Sequence, residues 1–176
     1  MNMQNSSHPV SFAPDTDNTR LLRDAFGRFA TGVTVITTAS QDGPVGITAN
    51  SFSSVSLDPP LVLWAPDKGS RRFSYFETAE HYAIHVLSHE QGELCQGFAK
   101  NAHTFENLEH SINEQGVPLI ENCLARFECA RVAAYEGGDH LIVLGRVVRA
   151  EMREGNALTF FAGKLGHAAH PAADEK

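Results

Sequence analysis

Residues 46–63 read Gly46-Ile47-Thr48-Ala49-Asn50-Ser51-Phe52-Ser53-Ser54-Val55-Ser56-Leu57-Asp58-Pro59-Pro60-Leu61-Val62-Leu63. The first four close a strand that begins near Val45. Ser51 to Leu57 then alternates small polar with apolar side chains, the period of a strand with one covered face. Pro59-Pro60 interrupts it, because proline cannot donate to a ladder. Leu61 to Trp64 resumes as a short buried strand. Three strands in succession with no helix between them predict antiparallel neighbours rather than a βαβ unit.

The flanks extend this reading. Upstream, Thr31 to Thr38 (TGVTVITT) is β-branched and strand-like, and Gln41-Asp42-Gly43-Pro44 is a turn into the strand ending at Ala49. Before it, Asn18 or Thr19 suits a helix cap, with Leu21, Leu22, Ala25, Phe26 and Phe29 on one apolar face. Downstream, Ser70 is placed to cap a helix carrying Phe73, Tyr75 and Phe76. Tyr82 to Leu87 predicts a strand, Glu90 to Ala99 a helix, and Lys100 to Val117 an irregular polar stretch. Leu124 to Ala134 and His140 to Glu151 flank Glu136-Gly137-Gly138-Asp139 and predict a long β-hairpin. Phe160-Phe161 adds one more strand. The predicted fold is mainly β, an antiparallel barrel with a few peripheral helices. Residues 1–17 are expected to be a flexible arm, 18–166 the domain, and 167–176 a frayed tail.

The 176 residues suit one domain with a real core. A net charge of −7 argues against nucleic acid or an anionic membrane as partner, since both call for a basic face. No apolar run approaches the roughly 20 residues of a membrane span. Cys123 and Cys129, placed in one strand, would stand roughly 20 Å apart, beyond disulfide reach. With Cys95 they are expected to be reduced thiols of a cytoplasmic protein.

Several sites are excluded by their missing motifs. Neither G-x-G-x-x-G nor G-x-x-x-x-G-K-[ST] occurs, nor do C-x-x-C, H-E-x-x-H and G-x-S-x-G. His81 and His85 would lie roughly 13 Å apart on a strand, too far to share a metal, so no metal site is expected.

Three segments carry chemistry. The small side chains of residues 46–54 let a flat ligand approach the backbone, although a Ser/Thr-rich hairpin without ligand explains the composition equally well. Ala65-Pro66-Asp67-Lys68-Gly69-Ser70-Arg71-Arg72 combines a helix start with local positive charge, a candidate phosphate site or a solvated basic turn. Glu136-Gly137-Gly138-Asp139-His140 is a two-glycine turn that ends on a titratable imidazole.

Together with Phe29-Ala30-Thr31-Gly32-Val33-Thr34-Val35-Ile36-Thr37 and Gly145-Arg146-Val147, these segments in this order resemble the flavin reductase-like family with its FMN-binding split barrel. The resemblance runs from about Leu21 to about Gly166. It implies a homodimer with flavin near the subunit interface. It also implies FMN or FAD as cofactor and NADH or NADPH as hydride donor, often with a flavin-dependent monooxygenase as partner. It places Gly46, Ile47, Thr48, Ala49, Asn50 and Ser51 along the isoalloxazine, with Ser53 and Ser54 as outlying neighbours. Ala65, Pro66, Asp67, Ser70, Arg71 and Arg72 would lie beside the ribityl phosphate, Asp67 through its backbone. Phe98 would lie near the flavin, though a core aromatic reads the same, and Lys100 follows it. Gly138, Asp139, His140 and Phe161 would form the nicotinamide side. His140 would hydrogen-bond the dinucleotide or tune the flavin ring. Relatives often carry tyrosine where this chain has Phe161 and Leu165, so hydroxyl contacts are absent there. Because the cofactors hold the reactive atoms, no essential general acid or base is expected. Two other readings use the same fold: a flavin-bound reductase of a corrinoid or ferric complex, and an electron carrier without a dinucleotide site.

Overall fold

The computed structural model describes residues 9–170; the first eight residues of the predicted arm and the last six of the predicted tail lie outside them. In chain order the elements are α1 (Thr19–Phe26), β1 (Thr31–Gly32), β2 (Thr34–Ser40), β3 (Gly43–Ala49), β4 (Ser53–Leu57), β5 (Pro60–Trp64), α2 (Phe73–Glu77), β6 (His81–Val86), a 3-10 turn (His89–Gln91), α3 (Gly92–Lys100), β7 (His110–Ile112), β8 (Pro118–Ile120), β9 (Ala125–Gly137), β10 (His140–Met152), β11 (Ala157–Phe161) and β12 (Lys164–Ala168).

Seven strands form one sheet in the order β3-β2-β6-β9-β10-β5-β4, and every pair in it is antiparallel. Its two outermost strands, β3 and β4, are consecutive in the chain, joined only by Asn50, Ser51 and Phe52. A flat sheet would hold those edges roughly 29 Å apart, six strand spacings. The link from Ala49 to Ser53 can span only about 14 Å. The sheet must therefore roll until its edges nearly meet, which makes it a barrel left open along the β3–β4 seam.

The core fills this roll. Ile36, Val45, Ile47, Trp64, Phe76, Tyr82, Ile84 and Val143 pack inside it, with Trp64 edge-on to Phe76 at 5.3 Å between ring centroids. Glycine is required at position 145, because an added Cβ would lie 2.0 Å from the Tyr82 hydroxyl. A second cluster lies outside the roll, where Val33, Val35, Leu87, Cys95, Phe98 and Leu158 pack. Burial on both faces explains why residues 33–38 are buried without alternation.

Behind β2, His85 is fully buried. Its Nδ1 bonds the Val35 carbonyl at 3.0 Å, and its Nε2 accepts from the Ile120 backbone N–H at 3.0 Å. These two bonds fix a neutral tautomer that ties β2, β6 and β8 together. Loss of hydration drives its pKa down to about 3.

A smaller sheet, in the order β1-β11-β12, is joined to the chain just after β6 by a bridge between Ser88 and Ala157. The expected strand at Phe160-Phe161 is β11. Its hairpin partner β12 continues to Ala168, two residues past the expected domain end at Gly166, so His167 is paired across from Leu158 rather than frayed. The turn between them holds Ala162 at φ 49° and Gly163 at φ 79°. A non-glycine residue there costs roughly 1 kcal/mol, offset by the Ala162 N–H bond to the Gly27 carbonyl at 2.8 Å.

Four local expectations need correcting. The α1 apolar face exists, but none of its residues is buried, and Phe26 is 70% exposed. Asn18 precedes α1 without a side-chain capping bond; its amide instead reaches back to the Ala13 carbonyl. Residues 100–117 are not wholly irregular, since β7 pairs with β8. Cys123 lies just before β9 rather than in one strand with Cys129, and all three thiols are free.

Candidate active site

The open seam is where the site forms. Leaving β3, the chain passes Thr48, Ala49, Asn50 and Ser51. Leaving β5, it passes Ala65, Pro66 and Asp67, then Ser70 and Arg72. These residues, with Ile47, Trp64, Ala99 and His140, line one cleft of about 310 Å³. A second cavity of about 290 Å³ shares Thr48, Ala49, Asn50 and Ala99 with it, and adds Val33, Cys95, Gln96, Phe160 and Leu165. The Thr48–Asn50 ledge therefore has a polar side and an apolar side.

The ledge is braced by its own polar groups. Thr48 Oγ1 donates to the Cys95 carbonyl at 2.7 Å, fastening α3 to β3. Ser51 Oγ donates to the Ala65 carbonyl at 3.1 Å and accepts from the Ala65 N–H at 2.9 Å. That reciprocal pair closes the seam between the strand ends. Both hydroxyls are spent holding the backbone, so the ledge presents shape more than hydroxyl donors.

Arg72 is held differently. Its Nη2 donates to the Ala99 carbonyl at 2.7 Å, while its Nε is buried without a partner among the described residues. Loss of hydration, then the charge of neighbouring Arg71, lowers its pKa. A cation that is short of one acceptor beside a cleft fits an anionic group there. The helix expected from Ser70 is shorter than the sequence suggests. It begins at Phe73 with Arg72 at its N-cap, and spans five residues. The anion argument thus rests on the guanidinium, not on a helix end. Asp67 is occupied, its Oδ1 accepting from the Gly69 N–H at 2.7 Å.

The 137–139 turn is sewn to the segment after β5. Lys68 N–H donates to the Asp139 carbonyl at 2.9 Å, and Leu141 N–H to the Pro66 carbonyl at 3.1 Å. Lys68 Nζ reaches the Gly138 carbonyl at 2.7 Å and pairs with Glu136. Gly138 takes φ 75°, a conformation that favours glycine. The result is to set His140 against the cleft. Its Nδ1 lies 2.7 Å from Asp139 Oδ1. This hydrogen bond, and next the imidazolium charge, hold the Asp139 carboxyl below its ordinary value.

Not every expected residue converges. Gly46, Ser54, Arg71, Gly138, Asp139 and Phe161 line neither cavity. Gly46 is packed under Phe98, whose ring would stand 2.6 Å from an added Cβ, and its N–H is bonded to the Ala102 carbonyl at 2.9 Å. Phe98 itself is fully buried, as a core aromatic would be. Phe161 is 46% exposed, and its neighbour Phe160 faces the apolar cavity instead. Cys95, Ala99 and Val33 went unnoticed in the sequence. The four-residue step from Cys95 to Ala99 on α3, and strand alternation from Leu158 to Phe160, were the available signals.

The family model for a flavin reductase like domain matches residues 26–169. The chain belongs to the flavin reductase-like family. Among family members, it is 52% identical over 155 residues to an FMN reductase (NADH), SmoA, of Agrobacterium fabrum (strain C58 / ATCC 33970), covering 88% of this chain and 89% of that one. It is 45% identical over 130 residues to the reductase component of the flavin-dependent trigonelline monooxygenase of Acinetobacter baylyi (strain ATCC 33305 / BD413 / ADP1), covering 73% of this chain but only 42% of that one. The NADH:FAD oxidoreductase SgcE6 of Streptomyces globisporus C-1027 superposes with a TM-score of 0.83 at 37% identity. That match covers 96% of this chain and 98% of the other. The mainly β flavin reductase architecture expected from the sequence is the one observed.

Proposed function

We propose that this chain is an NAD(P)H-dependent flavin reductase, working with NADH, that supplies reduced flavin to a monooxygenase partner. The observation that carries this is the convergence of the Thr48–Ser51 ledge, Arg72 and His140 on one cleft with an apolar cavity on the other side of the ledge. The relatives' names supply the redox partners: NADH and FMN for SmoA, NADH and FAD for SgcE6, and a monooxygenase for the trigonelline component.

Thr48, Ala49, Asn50 and Ser51 would hold the flavin ring, and Arg72 with Ser70 its phosphate. The flavin, when bound, supplies the hydride-accepting chemistry. The chain's own work is placement. The Ser51–Ala65 latch fixes the ledge, and Arg72, whose Nε has no partner among the described residues, would hold the phosphate. Asp139 accepts from His140 Nδ1–H, which leaves Nε2 for the dinucleotide. None of these residues needs to move a proton for turnover.

The homodimer reading is supported by apolar surface that the single chain leaves uncovered, with Phe29 77% and Leu57 94% exposed. Among the described residues no helix is long and apolar enough to cross a membrane. A cytoplasmic location is the reading consistent with three free thiols.

The test is NADH oxidation with and without added FMN or FAD, alongside the absorbance spectrum of the purified protein. Oxidation that rises with free flavin is expected. No oxidation with either flavin would refute the proposal. Bleaching of a bound flavin without stimulation would assign another acceptor.

A further inference from the structure

Away from the ledge, at the corner where the chain leaves β6, two histidines meet. His89 opens the 3-10 turn, and His167 lies in β12. Their ring centroids stand 5.8 Å apart, with the planes tilted by 46°. The backbone under each ring is fixed. The Ser88–Ala157 bridge and the His89 N–H bond to the Asn156 carbonyl at 2.9 Å hold the turn against β11. β12 is paired along β11, with His167 across from Leu158. Just past β12 the His170 N–H donates to Asn156 Oδ1 at 2.9 Å, so Asn156 anchors both chains at once. Among the described residues neither the His89 nor the His167 ring makes a hydrogen bond or ion pair. By contrast, His85, His103, His110 and His140 each have a ring nitrogen engaged.

We infer that His89 and His167 together bind one divalent transition-metal ion of the zinc class, with water in its remaining positions. Imidazole is a preferred ligand of such ions. Among the described residues no three His, Cys, Asp or Glu side chains are placed to share an ion, so the protein supplies two ligands. With Zn–N bonds of roughly 2.0–2.1 Å, each ring centroid lies roughly 3.2 Å from the ion, so two rings on one ion stand between roughly 5.2 Å apart at the tetrahedral angle and roughly 6.4 Å when opposed. The observed 5.8 Å falls inside that interval. The ion would join two walls of the apolar cavity. β11 and β12 carry Phe160 and Leu165, while the 3-10 turn runs directly into α3, which carries Cys95, Gln96 and Ala99. Bound metal therefore clamps the small sheet to the start of α3. The inference stands apart from the flavin reductase reading, since neither flavin nor dinucleotide takes part in it.

The experiment uses the full chain, freed of metal by a chelator, with zinc chloride as the probe. Calorimetry should show one zinc ion bound per chain. His89→Asn and His167→Asn should each weaken that binding about tenfold or more, because a lone imidazole is a poor site. Both residues are exposed, so folding is expected to survive, as melting without metal will verify. His103→Asn, a control outside the pair, should bind zinc as the unmodified protein does. Cobalt in place of zinc should give the weak visible bands of nitrogen and oxygen ligands. A strong near-ultraviolet band would report a cysteine ligand and overturn the assignment. With zinc, amide exchange across β11 and β12 should slow in the unmodified protein and not in His167→Asn. Absence of zinc binding, or equal binding by the unmodified protein and both pair variants, overturns the site. Binding without that protection overturns the clamp. Failure of NADH oxidation counts against the reductase reading instead, and leaves zinc binding to judge the site.

Discussion

The two sides of the ledge are built on different plans. On the polar side, cross-links between the segment after β5 and its neighbours leave little freedom: Ser51 with Ala65, Lys68 with Gly138 and Asp139, Arg72 with Ala99. On the apolar side, the lining comes from α3 and from Phe160 and Leu165 of the small sheet, which is tied to the chain after β6 by the Leu158 N–H bond to the Leu87 carbonyl at 3.0 Å and the His89 N–H bond to the Asn156 carbonyl at 2.9 Å. Away from that cavity, the buried His85 ties β2, β6 and β8 together. Rigid, pre-bonded backbone suits a ligand that must be held in one pose while hydride is delivered to it.

Changing pH tests how far the fold as a whole depends on the buried His85. His85 is held at a pKa of about 3 in the folded protein, against an ordinary value near 6.5 when unfolded. Between those values the unfolded chain binds more protons. Stability is complete above about pH 6.5 and falls, by several kcal/mol in total, as pH drops toward 3. Urea midpoints across that window should show the slope, and His85→Gln should flatten it. An unchanged slope would detach His85 from the acid response.

Next in size is the floor beneath the polar side. Gly145→Ala would drive a Cβ against the Tyr82 hydroxyl, and overpacking of this kind costs about 3 kcal/mol. Thermal melting reads it; a loss near zero would mean that the barrel interior gives way easily.

Arg72→Ala removes the one cleft cation with an unspent donor. FMN binding should weaken by about 1.5–3 kcal/mol, the worth of a hydrogen bond to a charged group, with riboflavin unaffected. Flavin fluorescence titrations decide between them, and equal losses for both ligands would remove Arg72 from the phosphate.

The smallest effect on folding is expected from F26S/F29S, in and just after α1. Both rings are largely exposed, at 70% and 77%. The chain's own stability should change by less than about 0.5 kcal/mol, while sedimentation should shift from dimer toward monomer. Loss of folding without a change in mass would show that α1 packs on its own subunit.

The contrast also explains what could be read from the residues. The barrel strands were legible because β-branched and alternating segments report local burial, and the 125–152 hairpin announces itself by its two glycines. The convergence of Asn50, Pro66 and His140 was not legible locally, because it follows from a sheet that closes on itself. Only the family resemblance brought those residues together. β12 was missed because Lys-Leu-Gly-His-Ala has weak strand propensity, and it is the Ala162–Gly163 turn that folds it back onto β11. The family resemblance pointed to Phe161, and period-2 alternation, which makes one of the two neighbouring rings point inward, does not by itself say which. Ser70 carries a capping signal, yet its hydroxyl accepts from the Arg72 N–H at 3.3 Å in a turn that precedes a shorter helix.

Reduced flavin that meets dioxygen yields hydrogen peroxide, and Cys95 lines a cavity beside the ledge. Peroxide attacks thiolates, not thiols. Burial raises the pKa of Cys95, takes Cys123 to about 11 and Cys129 to about 12. At pH 7 a thiol of pKa about 11 is ionised in roughly one molecule in ten thousand. Burial therefore holds the three thiols almost wholly in the protonated form, the form that peroxide attacks poorly.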